Sequence, residues 1–170
     1  PRKCNIAGTK VGISSAALDA DVIINLPKFK THQQLTATFA IKNMFGCVSG
    51  KHKALWHFRK GNSPEDFARL IVEIYKYLNP AINIIDGVTA MDSQGPIRGR
   101  TRYLGYIIAS EDPLACELTC CKLCGLAPEE LPLVTAGIKS NLGCSDFDKI
   151  AFEGDKLPDH PAENFIPARL

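Results

Sequence analysis

Lys28, Lys30 and His32 fall at every second position just beyond an apolar run, residues 21–26, that ends at Pro27. In an extended segment, residues i, i+2 and i+4 point to one side, so two ammonium groups and an imidazole would share one region of space. In open α/β sheets that region, beyond the carboxyl ends of the strands, is where ligands bind. Lys42, Lys51, Lys53 and His57 enlarge the set. Residues 22–64 hold seven Lys or Arg and no Asp or Glu, which leaves 13 basic and 18 acidic residues elsewhere; the net charge of +2 is thus a positive segment plus a negative remainder. Such unevenness focuses potential in a cleft and suits an anionic ligand. Taken singly, each lysine is better explained as a solvated surface residue.

Among the carboxylates, Asp86, Asp92 and Asp112 are the best placed for chemistry. Asp86 follows an apolar strand-like run and should emerge at the sheet's rim, where a general base is useful. His32 and His57 complete the candidate catalytic set. Asp112 precedes Pro113, which makes a helix cap the stronger reading. Gly95, Pro96 and Gly99 mark a turn-rich loop interleaved with Arg98, Arg100 and Arg102, which could grip carboxylate or phosphate or could equally be solvated. The stretch from Gly46 to Lys51 has three residues between its glycines, where a phosphate loop needs four, and His52 stands where that loop needs Ser or Thr. No Gly-x-Gly-x-x-Gly fingerprint is present either.

Cys116, Cys120, Cys121 and Cys124 invite a metal or iron–sulfur reading. On one helix the first and last lie about 12 Å apart along the axis, whereas thiolates sharing a zinc must lie within roughly 4 Å. Buried thiols acting as small apolar side chains are favoured, and no metal ligands are assigned. Seven cysteines form no regular framework, and a chain of this length builds its own core, so reduced thiols in a cytoplasm are expected.

The elements that must position these groups read as follows. Residues 11–14 and 21–26 are expected strands, with Lys28 to His32 leaving the second as an extended loop because Pro27 cannot donate to a ladder. Residues 35–47 carry helical spacing. Ser63-Pro64-Glu65-Asp66 is a strong helix start, followed by apolar residues at i, i+3, i+4 as far as Leu78. Strands are expected over 81–85 and 103–109, and helices over 112–124 and 128–138. Alternating strands and helices imply an α/β fold with an open, mostly parallel or mixed sheet flanked by helices. Residues 1–154 read as a single domain and 155–170 as a C-terminal arm. With 45% hydrophobic and 22% charged residues the chain is an ordinary globular one, with no apolar run long enough to span a membrane and no charged start followed by an apolar stretch to suggest a signal peptide.

The order of several motifs is specific. Ala20 to His32, Ala40-Ile41-Lys42-Asn43-Met44-Phe45-Gly46, Lys53-x3-His57, Ile84-Ile85-Asp86-Gly87, Gly95-Pro96-x2-Gly99 and Asp112-Pro113 together resemble the uncharacterised family called domain of unknown function 362. Carried over by position, the resemblance points to Lys28, Lys30, His32, Lys42, Asn43, Lys53, His57, Asp86, Gly95, Pro96 and Asp112; Asp86, His32 and His57 are the catalytic candidates among them and the rest the ligand-binding ones. It also implies association with ferredoxin-type iron–sulfur modules. The full family domain has a further α/β segment before the residue 21 strand, so this chain is expected to lack an N-terminal part. The ferredoxin cysteine motif is not in it.

The expectation is a domain that binds a small anionic metabolite or cofactor within a redox-related enzyme or accessory protein; whether it is itself an enzyme is left open. The alternative is a 4Fe-4S or other metal-binding electron-transfer protein, its cluster carried here or on a fused module. Nucleic-acid binding, suggested by the basic segment with Phe29, Trp56 and Phe58, is disfavoured by the acidic remainder.

Overall fold

A two-residue turn at Ala7 and Gly8, both with positive φ (46° and 78°), joins β1 (Arg2–Ile6) to β2 (Thr9–Ile13) as an antiparallel hairpin, the geometry a twisted strand pair favours. This is the first unit of a computed structural model that describes residues 1–50, Lys53, Trp56 and residues 63–168. Helix α1 (Ser15–Asp19) leads to the main sheet. There β6 (Ile82–Gln94) is central: β3 (Ile24–Asn25) and β4 (Lys28–His32) lie parallel to it on one side, and β7 (Arg98–Ser110) lies antiparallel on the other. β5 (Thr36–Thr38) adds to the outer edge of β4, antiparallel. The fold is α/β with a mixed sheet, as the sequence implied.

Residues 28–32 are therefore a strand, not the loop expected of them. Pro27 interrupts the ladder without ending it. β3 and β4 run end to end along β6, and the Pro27 carbonyl still accepts from the Asp86 amide at 2.9 Å, so the break costs only the donor that proline lacks. β6 and β7 likewise outrun the expected 81–85 and 103–109, each reaching 13 residues. A register shift between Gly87 and Thr89 breaks the apolar alternation that marks a strand in sequence, yet the strand continues through it. One consequence is that Asp86 lies inside the sheet's exposed face, paired in register with Lys28 and Ile107, and not at its rim.

Residues 35–47 are not one helix. Thr36-Ala37-Thr38, two of them β-branched, pair with β4, and only Ala40–Asn43 (α2) is α-helical before a 3-10 turn at Met44–Cys47. Ring packing secures that hairpin, since Phe29 and Phe39 have centroids 4.6 Å apart. Helix α3 (Pro64–Leu78) begins as its sequence requires, with the Asp66 amide donating to the Ser63 hydroxyl at 3.1 Å and Pro64 in the first turn. Helix α4 (Pro113–Cys124) is capped by Asp112. The expected helix over 128–138 divides into a 3-10 turn, Pro128–Glu130, and α5 (Pro132–Lys139), because Pro132 suits a first turn and not an interior.

Two apolar clusters form. One gathers the β1–β2 hairpin, α3 and part of α5 around Phe45, Phe67 and Ile71; the other fills the inner face of the sheet with α4, around Phe29, Phe39 and Ile85. The opposite face of the sheet is open, with Leu26 67%, Tyr103 78% and Ile107 66% exposed.

The last residues are tied down. Asp92, wholly buried, accepts both guanidinium arms of Arg100 and the Nε of Arg102, and Arg102 donates onward to the Glu163 and Asn164 carbonyls. Burial alone would raise the Asp92 carboxyl; hydrogen bonds from Arg100, Ser93, the Ile166 amide and Arg102 outweigh it and hold the group at about 2. The Ser93 amide donates to the Ile166 carbonyl at 2.7 Å, and Phe165 packs edge-on against Phe29. Arg100 and Arg102, candidate anion grips in the sequence, are instead spent within the chain.

Candidate anion site

Helix α2 is one turn long and cannot hold itself, so its position depends on anchors at both ends. At its start the backbone amides of Ala40 and Ile41 donate to the Glu117 carboxyl of α4, at 2.9 Å for Ile41. At its end the Asn43 side-chain amide donates to Asn25 Oδ1 at 2.8 Å. Asn25 in turn donates to the Ala40 carbonyl and to Asn83 Oδ1, both at 2.8 Å, and the Tyr75 hydroxyl donates to the same Asn83 oxygen at 2.9 Å. Asn83 passes its own amide to the Ser110 carbonyl. This buried chain joins β3, α2, β6, β7 and α3. Asn25, Asn83 and Glu117 were not singled out from sequence, although the signal was there: an amide inside each of two apolar strands and a carboxylate inside an apolar helix need partners.

The anchored turn sets Lys42 against β4. Lys28, Lys30, Lys42 and Lys53 all line one cavity of about 120 Å³, with Thr38 and Asn43 as neutral polar groups and Phe39 and Phe45 as apolar wall. No carboxylate is among its described lining residues. Lys28 is held by Asp86, Nζ to Oδ2 2.7 Å, on the exposed side, and that hydrogen bond lowers the Asp86 carboxyl below its ordinary range. Lys42 and Lys53 both approach the Phe45 ring, 5.5 and 5.8 Å from its centroid. Burial, then the charges of Lys53 and Lys30, pull Lys42 down to about 8.

Five of the sequence candidates thus meet at this place: Lys28, Lys30, Lys42, Asn43 and Lys53 line the cavity, and Asp86 borders it through Lys28. The other described candidates do not line it. His32 is buried at the end of β4, its Nδ1 accepting the Gln34 amide at 3.2 Å. Gly95 and Pro96 form the turn between β6 and β7, where a Cβ on Gly95 would lie 2.3 Å from the Thr31 carbonyl oxygen. Asp112 accepts the Leu114 and Ala115 amides at 2.8 and 3.0 Å and the Cys144 amide at 2.6 Å, which occupies both carboxylate oxygens in structural bonds. His57 and Lys51 lie outside the described residues.

The α4 thiols do not make a ligand set. Cys116, Cys120, Cys121 and Cys124 are all buried and free, and burial pushes Cys116 and Cys124 up to about 12 and the other two well above the ordinary range. Cys124 Sγ is spent on the Cys120 carbonyl at 3.0 Å. Metal-binding thiolates need the opposite environment. Among the described residues no group of three or more His, Cys, Asp or Glu side chains could hold a metal ion. The described residues do not fit an iron–sulfur cluster.

A mixed sheet with a lysine-lined cavity at its broken strand defines the α/β architecture of this domain. The family described as a domain of unknown function (DUF362) matches residues 2–122, and the chain belongs to it. A thylakoid-associated protein of Synechocystis sp. is 42% identical over 124 residues, which cover 73% of this chain and 39% of that protein. The chain therefore spans about two-fifths of the length of the curated relative it matches. No solved structure matches. No helix among the described residues is long and apolar enough to cross a membrane.

Proposed function

We propose that this domain binds a small anionic metabolite or cofactor in the lysine-lined cavity, as part of a redox-related enzyme or accessory protein. The observation that carries the reading is the convergence of Lys28, Lys30, Lys42 and Lys53 on one small space with no carboxylate in its described lining. Such a cluster is held together against its own repulsion, and an anion relieves that repulsion on binding. Phe39 and Phe45 lower the local dielectric, which strengthens the attraction. The redox context rests on the family's association with ferredoxin-type modules; a cluster would belong to such a partner and not to these thiols. All seven cysteines are free, which fits a reducing compartment such as cytoplasm.

The test is thermal unfolding at low salt with inorganic phosphate, small carboxylates and phosphate-bearing metabolites. The expected result is a rise in melting temperature with at least one of them, smaller at high salt and reduced in Lys30→Ala and Lys53→Ala. No rise with any anion at low salt refutes the reading.

A further inference from the structure

The four cavity lysines are not equivalent. Lys28 has its carboxylate partner in Asp86. Lys30 and Lys53 line the cavity, where their side chains can hold an anion. Lys42 stands between them on the anchored turn, against the Phe45 ring, where both burial and its neighbours' charges oppose its own. An amine in that position is poised for more than ion pairing.

Resting on the anion-site reading above, we propose that Lys42 is a nucleophilic amine that forms an imine with a small carbonyl compound bearing a carboxylate or phosphate, a 2-oxo acid being the simplest. Lys30 and Lys53 would fix the anionic end and so hold the carbonyl carbon at the Lys42 Nζ. The neutral amine's lone pair attacks that carbon, forming the C–N bond as the carbonyl π bond breaks; the oxygen takes up a proton and the nitrogen gives one up, which returns the proton to the neighbouring group that supplied it. The resulting carbinolamine then loses its oxygen as water to leave the imine. Neighbouring ammonium groups can supply the proton, and no oxidant or reductant is needed. The requirement is an amine that is neutral often enough near pH 7. Set at about 8, Lys42 is unprotonated about a tenth of the time at that pH, on the order of 300-fold more than an ordinary lysine. Thr38 and Asn43 are the uncharged polar groups beside it, suited to the hydroxyl of the carbinolamine.

The experiment is reductive trapping of the 170-residue chain with pyruvate as probe and borohydride as reductant, read by intact mass and peptide mapping. The expected result is a predominant single adduct on Lys42, at least about tenfold above any other lysine, in keeping with its neutral fraction relative to an ordinary lysine. Inorganic phosphate should suppress it, and Lys42→Arg, which keeps a cation and tests for the amine alone, should lose it. Adducts spread evenly over surface lysines, or an adduct centred elsewhere, overturn the proposal. A melting-temperature rise with pyruvate or phosphate but no trapped adduct sinks the imine while leaving anion binding standing. Neither response sinks both.

Discussion

Glu117 offers the sharpest test of how the cavity's support is built. Its side chain is fully buried, Oε1 accepts the Ile41 amide, and Oε2 has no hydrogen-bond partner. Burial raises the carboxyl to about 7 against an ordinary 4.5, with the Ala40 and Ile41 amides pulling weakly the other way. Because the folded-state value is the higher one, the folded protein holds a proton there that the unfolded chain releases between pH 4.5 and 7. The stability this lends is complete below the lower value and is lost as pH rises through the higher. A shift of that size corresponds to about 3 kcal/mol. Glu117→Gln keeps an acceptor for the α2 amides and removes the titration. Urea unfolding at pH 5 and pH 8 should show the wild type losing on the order of 3 kcal/mol more than the variant does. The variant is the necessary reference, since histidines titrate in the same range. Equal losses in the two proteins, within about 1 kcal/mol, would refute the claim that a buried, protonated carboxyl holds α2.

Three further outcomes follow from geometry. Gly95→Ala places a Cβ 2.3 Å from the Thr31 carbonyl oxygen, so the β6–β7 turn must shift and stability should fall by about 2 kcal/mol or more in chemical unfolding. Arg102→Ala removes the donors that hold the Glu163 and Asn164 carbonyls; residues 162–168 should become protease-sensitive while the melting response to phosphate persists, and unchanged cleavage rates would count against the tether. Asp112→Ala should cost about 1–3 kcal/mol, through the helix cap and the orphaned Cys144 amide, again without altering the phosphate response; loss of that response would return Asp112 to the ligand site.

What could be read in the sequence depended on how local the cause was. The α3 start was fully legible because Ser63, Pro64, Glu65 and Asp66 act within one turn. The cap at Asp112 was legible for the same reason. The lysine cavity was half legible: the acid-free stretch from 22 to 64 is a property of order along the chain, and Lys28, Lys30, Lys42 and Lys53 meet because that stretch folds back on itself. What lay outside local reach was β4, since only pairing with β6 makes residues 28–32 a strand, and β5, whose helical spacing yields to the β4 edge. The same long-range pairing moved Asp86 from a rim to a face. Asp92 shows the opposite error: nearby arginines looked available for ligand, yet a buried carboxylate claims them.

The cavity's charge and the polar chain behind it belong to one design problem. A four-residue helix carrying a half-buried lysine, facing two more cations, has every reason to swing outward and hydrate that charge. Glu117 grips its first amides and Asn43 its last turn through Asn25, so the repulsion is opposed at both ends by bonds that do not neutralise it. A carboxylate beside Lys42 would have been the simpler stabiliser, but it would also have cancelled the field an anion needs. Placing Glu117 at the first α2 amides and outside the cavity's described lining, where burial favours its neutral form, supports the turn without spending the positive charge. Asn25→Ala should therefore loosen Lys42 and weaken the phosphate response even though Asn25 is not among the residues lining the cavity. A folded Asn25→Ala protein that responds to phosphate as the wild type does would show that Lys42 is held by other means.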